Sequence, residues 1–126
     1  MRHPYGVSPR KVSKPWGWEL VWAETEVYVG KLLFVRAGES LSLQYHEVKD
    51  ESWLVHEGRA RLELGRVGGE LEAVEMTPGD SFRFRPLTVH RVTAIEDTLV
   101  IEVSTTELDD VVRLEDRYGR EGTSAP

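Results

Sequence analysis

The chain has 126 residues, 40% of them hydrophobic and 30% charged, which predicts one soluble globular domain with its own core. It has no cysteine, which excludes disulfides, thiolate metal sites and cysteine nucleophiles and predicts a cytoplasmic protein. A net charge of −6 argues against nucleic acid as the partner, and no apolar run approaches the roughly 20 residues of a membrane helix.

Residues 1–14 are polar and Pro-containing and read as an N-terminal arm that stays loose unless docked. They are basic but lack the apolar stretch of a secretory signal. The single domain then runs over 15–120. "KPWG" (14–17) anchors the entering chain: Pro15 fixes the backbone, Trp16 buries area and Gly17 permits a turn. Nine strand-like segments follow, at 17–23, 26–37, 41–46, 51–58, 59–66, 70–76, 81–86, 89–95 and 98–104. They are rich in Val, Leu, Phe and Trp with period-two patterning, and short Gly, Pro and Asp turns separate them. Many short strands at regular spacing predict an all-β sandwich or barrel. Residues 105–120 change character: an acidic start and apolar Val111, Val112 and Leu114 predict a short C-terminal helical segment. Residues 121–126 read as a flexible tail.

Strand residues alternate faces, so Gln44 and His46 point the same way, Glu51 shares a face with Trp53, and His90 with Val92. If these faces line one interior, two imidazoles, a carboxylate and an amide oxygen converge into a shell for one divalent metal ion, Zn, Mn, Co, Ni or Fe. A lone strand histidine is usually structural; the spacing to Gln44 and Glu51 favours ligation. Gln44 is the only glutamine, and there is no asparagine. With twelve arginines to four lysines, this composition leans toward a heat-adapted source. Lys31 falls in phase with Leu33 and Val35 on the inward face, either to meet an anion or move a proton, or to snorkel from the rim.

Gly38 to Gly58 reads G-x5-Q-x-H-x4-E-x6-G, which resembles the first cupin motif with Gln44 where the commonest cupins place histidine. "PGDSFRFRPLTVH" (78–90) resembles the second, with Leu87 in place of the usual glycine three before the histidine. "KPWGWE" (14–19), "LSLQYHEVKDESW" (41–53), "IEVS" (101–104) and "LDDVVRLEDRYGR" (108–120) together resemble the cupin domain of type II mannose-6-phosphate isomerases, which often follows a guanylyltransferase domain. The resemblance implies a double-stranded β-helix, or jelly-roll barrel, and a homodimer. It implies a metal on Gln44, His46, Glu51 and His90, and conversion of mannose 6-phosphate to fructose 6-phosphate through a cis-enediol. Lys49 sits where the larger enzymes usually carry arginine, keeping the charge without the bidentate fork. Lys31 and Lys49 are then candidates for proton transfer, and Arg85 and Arg113 for binding the sugar phosphate. The alternative is a metal-binding cupin that binds or senses a sugar or small acid without turnover. Arg113, Asp116, Tyr118 and Arg120 would close the barrel mouth or form a packed cap.

Overall fold

The alternating segments become β-strands in the computed structural model, which describes residues 3–122. The strands are β1 (Arg10–Lys14), β2 (Gly17–Glu24), β3 (Val29–Val35), β4 (Leu43–Tyr45), β5 (Glu51–Glu57), β6 (Ala60–Arg66), β7 (Leu71–Met76), β8 (Ser81–Phe84), β9 (Thr88–Ala94), β10 (Thr98–Ser104) and β11 (Val112–Glu115). They form two antiparallel sheets, ordered β1-β2-β3-β10-β5-β8 and β11-β4-β9-β6-β7. Between the sheets lie Val35, Trp53, Val55, Leu62, Phe84 and Val100, all at most 2% exposed. Burying each such side chain contributes about 1.5–3 kcal/mol. Every strand-like segment read from the sequence overlaps one of these strands to within a residue or a few at each end.

Three expectations change. Residues 10–14, assigned to the arm, form β1 and pair with β2 from Arg10↔Val21 to Lys14↔Gly17. Gly17 serves close approach rather than a turn: a Cβ there would sit 1.8 Å from the Phe34 carbonyl oxygen. The third is a correction: there is no C-terminal helix among the described residues, and Val112–Glu115 form β11 against β4 instead. The reason is tertiary. The three-residue β4 has an open edge, and adjacent β-branched Val111 and Val112 suit a strand. Asp110, read as a helix-start acid, instead accepts the backbone N–H groups of Glu47, Val48 and Lys49 at 3.0, 2.8 and 2.9 Å. The flexible-tail reading falls on 121–126, of which 123–126 lie outside the described residues.

Register places the chemistry. Directly opposed residues share a face. Arg113 lies opposite Gln44, and Gln44 opposite His90, in one sheet. Lys31 lies opposite Glu102, and Glu102 opposite Trp53, in the other. Both rows point into the same interior.

Candidate metal centre and substrate cavity

The turn before β9 is built without the glycine its geometry favours. Thr88 N–H donates to the Arg85 carbonyl at 3.1 Å, with Pro86 and Leu87 at the central positions and Leu87 at φ 70°. This is the type II pattern, which calls for glycine at the second central position. The strain is held because Leu87 N–H donates to the His46 carbonyl at 2.7 Å, tying the turn to the end of β4. The left-handed conformation costs a leucine roughly 1–2 kcal/mol, and glycine loses about 0.5–1 kcal/mol of that gain through chain entropy. Leu87→Gly should therefore raise urea stability, by up to about 1 kcal/mol, with the metal site unchanged.

His46, Glu51 and His90 converge so that one potential ligand atom from each lies within 4.8 Å of the others. Glu51 Oε1 is 3.2 Å from His90 Nε2 and 3.5 Å from His46 Nε2. All three residues are buried, and these three atoms lack hydrogen-bond partners. Polar atoms left so in a native interior mark a missing partner, and a cation is the partner two nitrogen lone pairs and a carboxylate share. The other ring nitrogens set the tautomers. His90 Nδ1–H donates to the Thr88 carbonyl at 2.9 Å, and His46 Nδ1–H to the Asp110 carbonyl. Each Nε2 thus presents a lone pair inward, as a metal-ligating imidazole requires. Phe84 stacks on the His90 ring at 4.3 Å between centroids and 2° between planes, fixing its orientation. Burial pushes the Glu51 carboxyl up, but in the ion-free site hydrogen bonds donated by the His46 and His90 rings, and then the Lys49 ammonium, outweigh it and hold the carboxyl well below its usual range.

Gln44 lines the same cavity, with its Oε1 accepting Ser42 Oγ–H at 2.8 Å. The cavity holds about 220 Å³ and is also lined by Lys31, Lys49, Glu102 and Arg113. Lys49 Nζ bridges Glu51 Oε2 at 2.8 Å and Glu102 Oε2 at 3.6 Å. Burial pushes its ammonium down, but the Glu102 and Glu51 carboxylates outweigh burial and hold it protonated. Lys31 is inward, as its phase predicted, and pairs with Glu19 at 3.0 Å. Arg113 is buried in the cavity wall, whereas Arg85 is exposed and outside the lining, because alternation with buried Phe84 turns it outward.

Two inward-facing acids escaped the sequence reading. Glu102 is 3% exposed, with Oε1 accepting the Trp53 indole N–H at 3.0 Å and Oε2 lacking a hydrogen bond. Burial and the nearby Glu51 push its carboxyl up. Glu19 accepts both Lys14 and Lys31, at 3.4 and 3.0 Å. A signal existed for each: Glu102 is in phase with Val100, and Glu19 with Val21.

Two antiparallel sheets around an inward His–Glu–His cluster define a cupin. Solved structures carry the same fold. A capsular polysaccharide assembling protein, CapF from Staphylococcus aureus, superposes with TM-score 0.77 at 15% identity, over 90% of this chain and 33% of that one. KdgF from Halomonas sp. gives 0.66 at 25% identity, over 80% and 87%. The family described as "Mannose-6-phosphate isomerase C-terminal" matches residues 6–116, and the chain belongs to that family. Among curated relatives, the mannose-1-phosphate guanylyltransferase ManC of Salmonella typhimurium is 36% identical over 114 residues, covering 88% of this chain and 23% of the relative. The mannose-1-phosphate guanylyltransferase of Escherichia coli K12 is 34% identical over 122 residues, covering 94% and 25%. The chain thus spans about a quarter of the length of these relatives. Among the described residues, no helix is long and apolar enough to cross a membrane.

Proposed function

We propose that the chain is a metal-dependent sugar-phosphate isomerase that interconverts mannose 6-phosphate and fructose 6-phosphate through a cis-enediol. The observation that carries this reading is the meeting, in one cavity, of three orphaned ligand atoms with a buried Lys49–Glu102 pair. His46, Glu51 and His90 would hold the ion, with Gln44 as the further ligand its place beside His90 suggests. When bound, it supplies Lewis-acid polarisation of the substrate's carbonyl and neighbouring hydroxyl.

The chain's own residues handle the proton. Lys49 is tied as an ammonium between two carboxylates, so it steadies negative charge on oxygen rather than taking a proton. Glu102 Oε2 accepts no hydrogen bond and has the Lys49 ammonium 3.6 Å away, and the Trp53 bond on Oε1 aims it. It takes the proton from C2 and returns it to C1, while the O2 hydroxyl proton passes to O1 of the cis-enediol, and its raised pKa makes it a stronger base than an ordinary carboxylate. Burial keeps water from the exposed enediol.

A second reading, a cupin that binds a sugar or small acid without turnover, draws on relatives named for guanylyltransferase activity. A coupled assay with mannose 6-phosphate on metal-loaded protein separates the two. Glu102→Gln should lower kcat about 10²–10⁴-fold while metal content stays at the wild-type level. Wild-type turnover no higher than that of Glu51→Ala would move the assignment to the binding module.

A further inference from the structure

The two outer faces of the molecule are built differently. On the β11-β4-β9-β6-β7 sheet, outward Glu63 pairs with Arg61 at 3.7 Å and Arg91 at 3.0 Å, and Arg91 pairs with Glu115 at 3.1 Å. A charged outer side is the usual state of an antiparallel sheet that faces water. On the β1-β2-β3-β10-β5-β8 sheet the outward positions are apolar instead. One row runs Trp18, Phe34, Leu99, and the next Leu20, Leu32, Ile101, Leu54. In a third, a Cβ on Gly30 would meet the Trp22 ring at 2.6 Å, so the indole lies against β3 near Val103. Trp22, Leu54 and Val103 are 40%, 43% and 50% exposed even with these neighbours in place. Polar residues stand at the ends of the central row, Lys11 opposite Leu20 and Ser81 opposite Leu54. A contiguous apolar patch with a polar rim marks a surface that another protein covers.

The face is large enough and is its own complement. With strands about 4.8 Å apart and outward rows about 7 Å apart, the six-stranded sheet has a footprint of roughly 600 Å². Two copies would bury about 1,200 Å², above the roughly 1,000 Å² of a specific interface. A two-fold axis parallel to the strands, between β3 and β10, sets Leu32 over Ile101 of a second copy and Leu20 over its Leu54. Lys11 then lies over Ser81, so apolar meets apolar along the row and no cation meets a cation. Identical sheets share one twist, which lets them stack about 10 Å apart. The sheet edges offer a poorer route. Pairing β1 with its own copy gathers Arg10, Lys11 and Lys14 of both chains, and pairing β7 gathers Glu72 and Glu75. The remaining edge strands, β8 and β11, have 4 residues each.

We propose that the outer face of the six-stranded sheet, centred on Leu32 and Ile101, binds a second copy of this chain sheet on sheet. The family resemblance implies a homodimer but gives it no face. Leu54 and Ile101 alternate with Trp53 and Glu102, so the interface backs the strands that carry the site and uses no residue of the cavity. It stands whether or not the cavity turns over a sugar phosphate.

Sedimentation velocity of the full chain at about 100 µM should show a dimer. Leu54→Lys and Ile101→Lys each put an ammonium into the covered centre and should weaken the dimer about 100-fold or more. Ala73→Lys, outward on the other sheet beside Glu63, should leave it unchanged. Near-UV circular dichroism checks that each variant is folded. Should Ile101→Lys unfold, Leu54→Lys decides, because Leu54 is already half-exposed in the single chain. A folded Leu54→Lys that stays dimeric moves the interface to a sheet edge and overturns the proposal. Wild type that stays monomeric at that concentration also overturns it, and leaves the face to a different protein.

Discussion

Glu51→Gln should leave a protein that no longer retains a divalent metal through dialysis, whereas wild type keeps close to one ion per chain. The substitution keeps the side chain's volume and removes its charge. Glu51 is the only acid in the His46–Glu51–His90 cluster, and its Oε1 faces both Nε2 atoms. Affinity should fall by more than the roughly 10–100-fold that follows loss of a residue hydrogen-bonded to a ligand. The metal-free protein should weaken too, because Lys49 loses its 2.8 Å carboxylate partner inside the cavity. Breaking a buried pair costs about 3–5 kcal/mol, and Glu102 remains beside Lys49, so about 3 kcal/mol is expected. Urea unfolding with chelator present isolates that term. Without chelator, wild type gains about 2.7 kcal/mol at a metal concentration 100 times its dissociation constant, and Glu51→Gln gains none. A variant that binds metal as tightly as wild type would remove Glu51 from the site.

The strands were legible because two signals agreed: period-two patterning and turn residues between segments. His46 and His90 were legible as partners because each lies in phase with another inward residue. Phase also placed Lys31 correctly. Where legibility failed, the cause was tertiary. β11 read as a helix because an acidic start before Val111, Val112 and Leu114 serves either structure; its partner β4 lies more than sixty residues earlier. Glu102 was hidden because β10 inverts the usual pattern: its outward residues Leu99, Ile101 and Val103 are apolar, while Thr98, Glu102 and Ser104 share the inward phase with Val100. Arg85 was misplaced for the opposite reason: Phe82 and Phe84 alternate with Arg83 and Arg85, and following that phase would have turned both arginines outward. Leu87 stands where the family motif carries glycine and keeps that residue's left-handed conformation. The backbone plan outlasts the residue that suits it.

Asp110→Ala should loosen the metal site without removing a ligand. The Asp110 carboxylate accepts three successive N–H groups from the loop between His46 and Glu51, the loop that carries Lys49. Burial alone would raise its pKa; those N–H bonds hold it below the usual carboxylate value, so it serves as an anion. Its own carbonyl accepts the His46 Nδ1–H. One residue thus pins a ligand's tautomer through its backbone and a loop through its side chain. Alanine keeps the carbonyl but frees the segment that aims it. Glu47 and Val48 are exposed, so water can replace part of what their N–H groups lose, and the stability cost should be about 1–2 kcal/mol. Metal affinity should fall further, about 10–100-fold, because the imidazole is no longer held with Nε2 inward. Cobalt-loaded protein gives a readout that mere destabilisation does not move: the visible bands of bound Co(II) should shift and broaden at temperatures well below unfolding. Asp110→Asn, which keeps one acceptor oxygen, should restore part of both. Unchanged cobalt bands and affinity in Asp110→Ala would mean that the loop holds His46 by itself.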